Sequence, residues 1–236
     1  MFKILQTLQE VNDVAKRIDL KGNVFLTHSV FSAYIWQLTY LLCQIDVEKS
    51  ERENISILEW GCGVGFHGAI LRGLGFCVKS CDIPNALSVG QNYVVDENTI
   101  TFLEHPILLP FEDEQFDVVL SFGVLEHVMD ENASIVEIAR VLRDDGLFFV
   151  TMLPALVSYI NKFAHLRGNY YHDRLYTKIS VQKLFSSAGL SVEKLRRAQI
   201  LPRSKFSRNL IWEIIDRVLC VPFGWIATNY EIVAKK

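Results

Sequence analysis

The chain has 236 residues, 50% hydrophobic and 22% charged, with a mean hydropathy of +0.20, so it holds ample apolar material for a core and is neither disordered nor collagen-like. Lys plus Arg total 24 against 27 for Asp plus Glu, a formal net charge of -3, which lacks the asymmetry of a protein that wraps nucleic acid. Five cysteines, Cys43, Cys62, Cys77, Cys81 and Cys220, make an odd set with no CxxC pair, which excludes a disulfide framework or zinc ribbon and suits a reducing, cytoplasmic setting. In chain order, residues 1–20 place Leu5, Leu8, Val11, Ala15 and Ile18 at helical spacing, and 29–45 read as a second, more apolar helix. Glu10, Asp13, Lys16 and Arg17 interrupt the first segment, so it is not a signal peptide, and no run of eighteen apolar residues could span a membrane. The charged stretch 47–54 predicts an exposed connection, because burial would strand its charges. We therefore divide the chain into an N-terminal helical cap, 1–53, and a main domain, 54–236.

From Ile55 strands and helices alternate: ISILEW, GFHGAILRGLG, FCVKSCD, PNALSVGQNYVVDE and TITFLEH, then FDVVLSF, a helix across NASIVEIARVLRD closed at Asp145-Gly146, and the strand GLFFVTML. That order predicts a parallel α/β sheet. Residues 155–176 have weak periodicity and unusual aromatic and histidine content, and read as an insertion; SVQKLFSSAGL is a helix with Ser180 as N-cap and Gly189 as its stop. A strand near LSVEKLRRAQI precedes a helix with Leu210, Ile211, Ile214, Ile215, Val218 and Leu219 on one face, and a last strand covers IATNYEIVA.

ISILEW runs directly into Gly61-Cys62-Gly63-Val64-Gly65 and a helix. Three glycines let the backbone turn tightly and approach a ligand without obstruction. Gly63 to Gly68 also satisfies GxGxxG, but Glu59 at the strand end would repel a pyrophosphate, which disfavours a dinucleotide and suits a ligand bearing a cation. Asp82, 17 residues after Gly65 and at the end of the second strand, could accept both hydroxyls of a ribose.

These residues resemble the class I S-adenosylmethionine-dependent methyltransferases. The first motif of that family is matched by Ile57, Leu58, Glu59, Trp60, Gly61, Gly63 and Gly65. Leu109-Pro110-Phe111, Phe116-Asp117-Val118-Val119, Val124-Leu125-Glu126-His127-Val128 and Arg140-Val141-Leu142 resemble later motifs of its ubiquinone- and menaquinone-biosynthesis-like (methyltransferase type 11) subgroup, over roughly residues 55–154. The resemblance implies a Rossmann-like three-layer sandwich with a mainly parallel seven-stranded sheet, and S-adenosyl-L-methionine as cofactor. It implies that Glu59, Gly61, Cys62, Gly63 and Gly65 face the methionine moiety, Asp82 holds the ribose, Ile83 packs on the adenine, and Ser121 and Phe122 lie beside the transferable methyl group. Two departures stand out: His105 occupies the place where many relatives carry an Asp near the adenine. Gly123 replaces a Glu that helps bind a divalent metal in ubiquinone-type enzymes, so no metal is expected.

On the acceptor side, His127 follows the fourth strand, where a base could reach a bound acceptor, and His172, in an insertion that also holds His165, Tyr170 and Tyr171, is a second candidate base. Bracing a helix or packing a surface loop are the structural roles these histidines could serve instead. The expected reaction is methylation of a small molecule, on oxygen rather than nitrogen, because histidines are useful where a hydroxyl proton must be removed; a non-catalytic cofactor-binding scaffold of the same fold is the alternative. No nucleic acid partner is expected. A second insertion is expected near 202–224; the overlapping stretch 205–226, flanked by Arg203, Lys205 and Arg208 and ending in Val221 to Ile226, could contact a membrane surface or a lipid-like acceptor, although packing against the core or a second subunit, with Glu213 and Asp216 on the solvated side, is the simpler expectation.

Overall fold

The structure, a computed structural model, describes residues 2–20, 23, 26, 30–84, 92–159, 174–201 and 210–236. His165, Tyr170, Tyr171, His172, Arg203, Lys205 and Arg208 lie outside the described residues, as does half of the helix expected at PNALSVGQNYVVDE, residues 85–91; the described residues 92–96 are not helical. The chain divides into two compact units, residues 1–102 with 203–214 and residues 103–202 with 215–236. Strand order across the seven-stranded sheet is β3 (Ile100–Phe102), β2 (Cys77–Asp82), β1 (Ser56–Trp60), β4 (Phe116–Phe122), β5 (Leu142–Pro154), β7 (Asn229–Lys235) and β6 (Ser191–Ala198).

The first unit contains α1 (Phe2–Ala15), α2 (Phe31–Ile45), β1 (Ser56–Trp60), α3 (Phe66–Gly73), β2 (Cys77–Asp82) and β3 (Ile100–Phe102). Leu8, Val11, Val14 and Ala15 recur at helical spacing and are buried as α1 packs on α2, whose Ile35, Leu38 and Leu41 are buried in turn. β1, β2 and β3 are parallel, with Ser56 opposite Cys77 and Trp60 opposite Cys81. Successive residues Ile57 and Leu58 are both fully buried, as a strand covered on both faces requires. The charged stretch before β1 is largely exposed, as expected, but not throughout. It coils into a 3-10 turn, Lys49–Asn54, that buries Arg52. Its guanidinium bonds both carboxylate oxygens of Glu10, at 2.9 and 3.0 Å, and lies over the Phe76 ring. A paired arginine can be buried where a lone one could not.

The second unit holds β4 (Phe116–Phe122), α4 (Glu131–Val141), β5 (Leu142–Pro154), α5 (Lys178–Ser187), β6 (Ser191–Ala198), most of α6 (Leu210–Phe223) and β7 (Asn229–Lys235). β4 and β5 are parallel; β7 runs antiparallel to both β5 and β6. α4 packs on β5 and α5 on β6. The helix expected to run to Asp145-Gly146 ends at Val141, because Leu142 already pairs with Phe116 as β5 begins. α5 also starts a turn earlier than expected. Thr177 is its N-cap, accepting from the Ser180 N–H, while the Ser180 hydroxyl accepts from the Thr177 N–H, so the serine read as the cap is the other half of a capping box.

α6 departs furthest from its expected role. Asp216 is not on a solvated face but buried, its carboxylate accepting from the N–H groups of Gln199, Ile200 and Leu201 at 3.1, 2.8 and 2.6 Å. Arg217 reaches the buried Glu231 of β7 through two 2.6 Å bonds, and Arg196 of β6 completes that cluster. The ion pairs hold the Glu231 carboxyl down at about 2 against the opposing effect of burial. Polar side chains thus fasten this helix to the sheet, and its apolar ones face outward.

Candidate functional site

In the first unit the chain leaves β1 at Trp60 and enters α3 at Phe66 through a loop in which Gly61, Gly63 and Gly65 have φ of +69°, +51° and +80°. Side chains rarely tolerate that left-handed region, so the glycine spacing is a backbone requirement. The N–H groups of Gly61 and Cys62 both donate to the Cys81 carbonyl, at 2.9 and 3.0 Å, tying the loop to the end of β2. One residue on, Asp82 accepts from the Gly63 N–H at 2.6 Å through Oδ2 and from the Ile83 N–H at 2.7 Å through Oδ1. Burial raises the Asp82 pKa, and these two bonds oppose the rise. A Cβ placed on Gly63 would meet no atom within 4 Å, so open space lies directly beside the loop backbone. Ile83, next to Asp82, is 48% exposed, whereas Cys62 is buried, which pushes its thiol pKa up and keeps it from acting as a thiolate.

Glu59, expected to face the methionine moiety, is 1% exposed; its Oε2 accepts from the Ser80 hydroxyl at 2.8 Å and its Oε1 lies 3.3 Å from Nδ1 of His67. The His67 ring in turn packs edge-on to Tyr34, and Arg72 donates to Ser80. His67, Ser80 and Arg72 were not among the residues singled out from the sequence. The signal was the position of His67, second in the helix that follows the glycine loop.

In the second unit Ser121 and Phe122 end β4 and are buried, with Phe122 edge-on to Phe149. Gly123, φ +70°, donates to the Thr151 carbonyl and turns the chain into the loop that carries Glu126 and His127. The His127 side chain is 55% exposed, with Nε2 3.9 Å from Oε1 of the buried Glu126. Burial pushes the Glu126 carboxyl up to about 7. Arg174 clamps this loop by donating to the carbonyls of Val128 and, at 2.9 Å, Met129, and the buried Tyr176 donates to Glu131 at 2.6 Å. Neither Arg174 nor Tyr176 could be singled out from the sequence, because each acts across more than forty residues.

A strand, a glycine loop of this conformation, a helix and a carboxylate at the tip of the next strand make a cradle for an adenosyl cofactor, and open space beside Gly63 fits one. Residues 58–150 match the family model described as a methyltransferase domain. This stretch is therefore a class I S-adenosylmethionine-dependent methyltransferase domain, and S-adenosyl-L-methionine is the cofactor of that class.

Within the class, the chain is similar to the ubiquinone biosynthesis O-methyltransferase of Bartonella tribocorum (32% identity over 108 residues, 43% of this chain and 42% of that protein) and to that of Rhizobium leguminosarum (28% over 162 residues, 61% and 63%). The chain thus spans less than half the length of the Bartonella relative. Its fold matches the solved S-adenosylmethionine-dependent methyltransferases of Mesorhizobium loti (TM-score 0.55, 14% identity, 86% of this chain and 98% of that one) and Archaeoglobus fulgidus (TM-score 0.52, 15%, 84% and 92%). The fold is accordingly the Rossmann-like one, its sheet mostly parallel with two antiparallel pairings.

Proposed function

We propose that this chain transfers a methyl group from S-adenosylmethionine to an oxygen atom of a small-molecule acceptor. The observation that carries the reading is Asp82 bonded to the Gly63 N–H beside an open loop of left-handed glycines. When bound, the cofactor supplies a methyl group on a positively charged sulfur. Asp82 would hold its ribose hydroxyls, the backbone of Gly61, Cys62, Gly63 and Gly65 would follow its methionine moiety, and Ile83 would cover its adenine. Glu59, bonded to Ser80, supports the loop from beneath. Ser121 and Phe122 would line the methyl side. Methyl transfer is an in-line displacement, so positioning does most of the work, and a hydroxyl acceptor additionally needs a base. His127 fills that role, with Glu126 3.9 Å behind it to stabilise the imidazolium that forms. The names of the Bartonella and Rhizobium relatives support oxygen over nitrogen as the acceptor atom.

The test is calorimetric titration with S-adenosylmethionine, S-adenosylhomocysteine and NADH, on wild type and Asp82→Ala. Binding of the two sulfur compounds only, weakened at least tenfold in the variant, is expected. Binding of NADH would overturn the cofactor reading. Cofactor binding without turnover across a broad panel of hydroxylated acceptors would favour a scaffold, and unchanged turnover in His127→Ala would remove the histidine as base.

A further inference from the structure

We propose that the outward face of α6 and the 3-10 turn after it is a docking surface for an anionic lipid bilayer. Val218 and Val221, three residues apart on the helix, are 64% and 86% exposed, and Phe223 and Trp225 continue the face at 49% and 68%. Monomeric proteins rarely present so many large apolar side chains together. The helix is not short of polar residues that could have faced water. Asp216 and Arg217 are committed inward to the backbone of residues 199–201 and to Glu231, which fixes the outward orientation of the valines.

The patch extends beyond the helix. Arg197 of β6 passes beside Gly224, lies 4.8 Å over the Tyr230 ring, and donates to the carbonyls of Ala227 and Val157. Val157, whose carbonyl it bonds, and the adjacent Leu156 are themselves 49% and 48% exposed. Among the described residues, the hydrogen-bond acceptors of Arg197 are neutral carbonyls and the Tyr230 hydroxyl, with no carboxylate, so a positive charge adjoins the apolar face.

Aliphatic residues flanked by Trp and Phe, with the Arg197 guanidinium alongside, match the headgroup region of a bilayer, where aromatic rings settle and basic groups meet anionic lipids. A second copy of the chain fits less well. A two-fold contact through this patch would bring the same Arg197 from each subunit into one interface.

The test is flotation of the full chain with phosphatidylcholine vesicles, with and without about a quarter phosphatidylglycerol. It does not depend on methyl transfer. Wild type is expected to float with the anionic vesicles and to detach as salt rises. The double variant Val221→Ser, Trp225→Ser should partition about tenfold less, because both side chains are exposed and their loss leaves the fold intact. Val136→Ser removes a comparably exposed valine from α4 and should change nothing. Absence of flotation with either vesicle, or equal flotation of wild type and double variant, would overturn the proposal. So would a dimer in sedimentation velocity that the double variant dissociates and that fails to float, which would assign the face to a second copy.

Discussion

Replacing Glu126 by Gln should make the protein more stable above neutral pH and change it little in acid. Glu126 is 3% exposed, and burial places its carboxyl at about 7 against 4.5 for an unburied glutamate. The folded value lies above the unfolded one, so the contribution of this group to stability is fully present below pH 4.5 and is lost as pH rises through 7. The difference corresponds to about 3 kcal/mol once the folded carboxyl is ionised, or roughly 6–12 °C in Tm for a chain of this size. Glutamine keeps the shape and cannot ionise. Urea unfolding of both proteins near pH 4.5 and near pH 8.5 measures the effect, with the variant gaining about 3 kcal/mol over wild type between the two. A constant offset between the proteins at both pH values would show that the carboxyl titrates normally and would refute the reasoning.

Three further outcomes follow from particular contacts. Gly68→Ala would place a methyl group 2.4 Å from Glu59 Oε2 and 2.7 Å from Ser80 Oγ; separating that pair should weaken S-adenosylmethionine binding in calorimetry and lower stability by about 1–3 kcal/mol. Asp216→Ala leaves three backbone N–H groups of residues 199–201 without their acceptor and should cost about 3 kcal/mol by denaturant unfolding, with Asp216→Asn recovering part of it. Glu231, held at about 2, stabilises the fold above its ordinary 4.5, and that stability is lost as pH falls from 4.5 toward 2. Wild type should therefore lose about 3 kcal/mol over that interval in an acid titration followed by circular dichroism, whereas Glu231→Gln, destabilised already at neutral pH, should lack that step.

The β1–loop–α3–β2 segment was legible because everything it needs is local. The glycine spacing encodes three left-handed residues, and Asp82 arrives one strand later at the tip where its carboxylate meets Gly63. Burial of individual charges was not legible. Arg52 looked like solvated surface because its partner Glu10 lies 42 residues away, and the polarity of α6 was inverted because its anchors are backbone N–H groups of residues 199–201, which no side-chain pattern displays. Likewise, the Glu-His pair after β4 was visible, but nothing in the sequence says that the glutamate is buried and the histidine exposed. The clamp on that loop, Arg174 and Tyr176, comes from a stretch whose weak periodicity concealed its role.

Comparing two of the buried glutamates of the second unit, Glu126 and Glu231, separates structure from chemistry. Glu231 and Glu126 are both almost fully enclosed, yet one is held at about 2 and the other pushed to about 7. Arg217 and Arg196 account for the first: two guanidiniums convert a buried charge into a fastening for α6 and β6, and such a carboxylate stays ionised throughout the physiological range. At Glu126 burial prevails, so its charge is unfavourable until a positive group forms nearby. The side chain placed to become that group is His127, at 3.9 Å, and an imidazole acquires its charge on taking a proton. A carboxyl that burial holds above its ordinary pKa beside an exposed histidine, in the loop after β4, is costly as architecture, and that cost sets it apart from the paired Glu231.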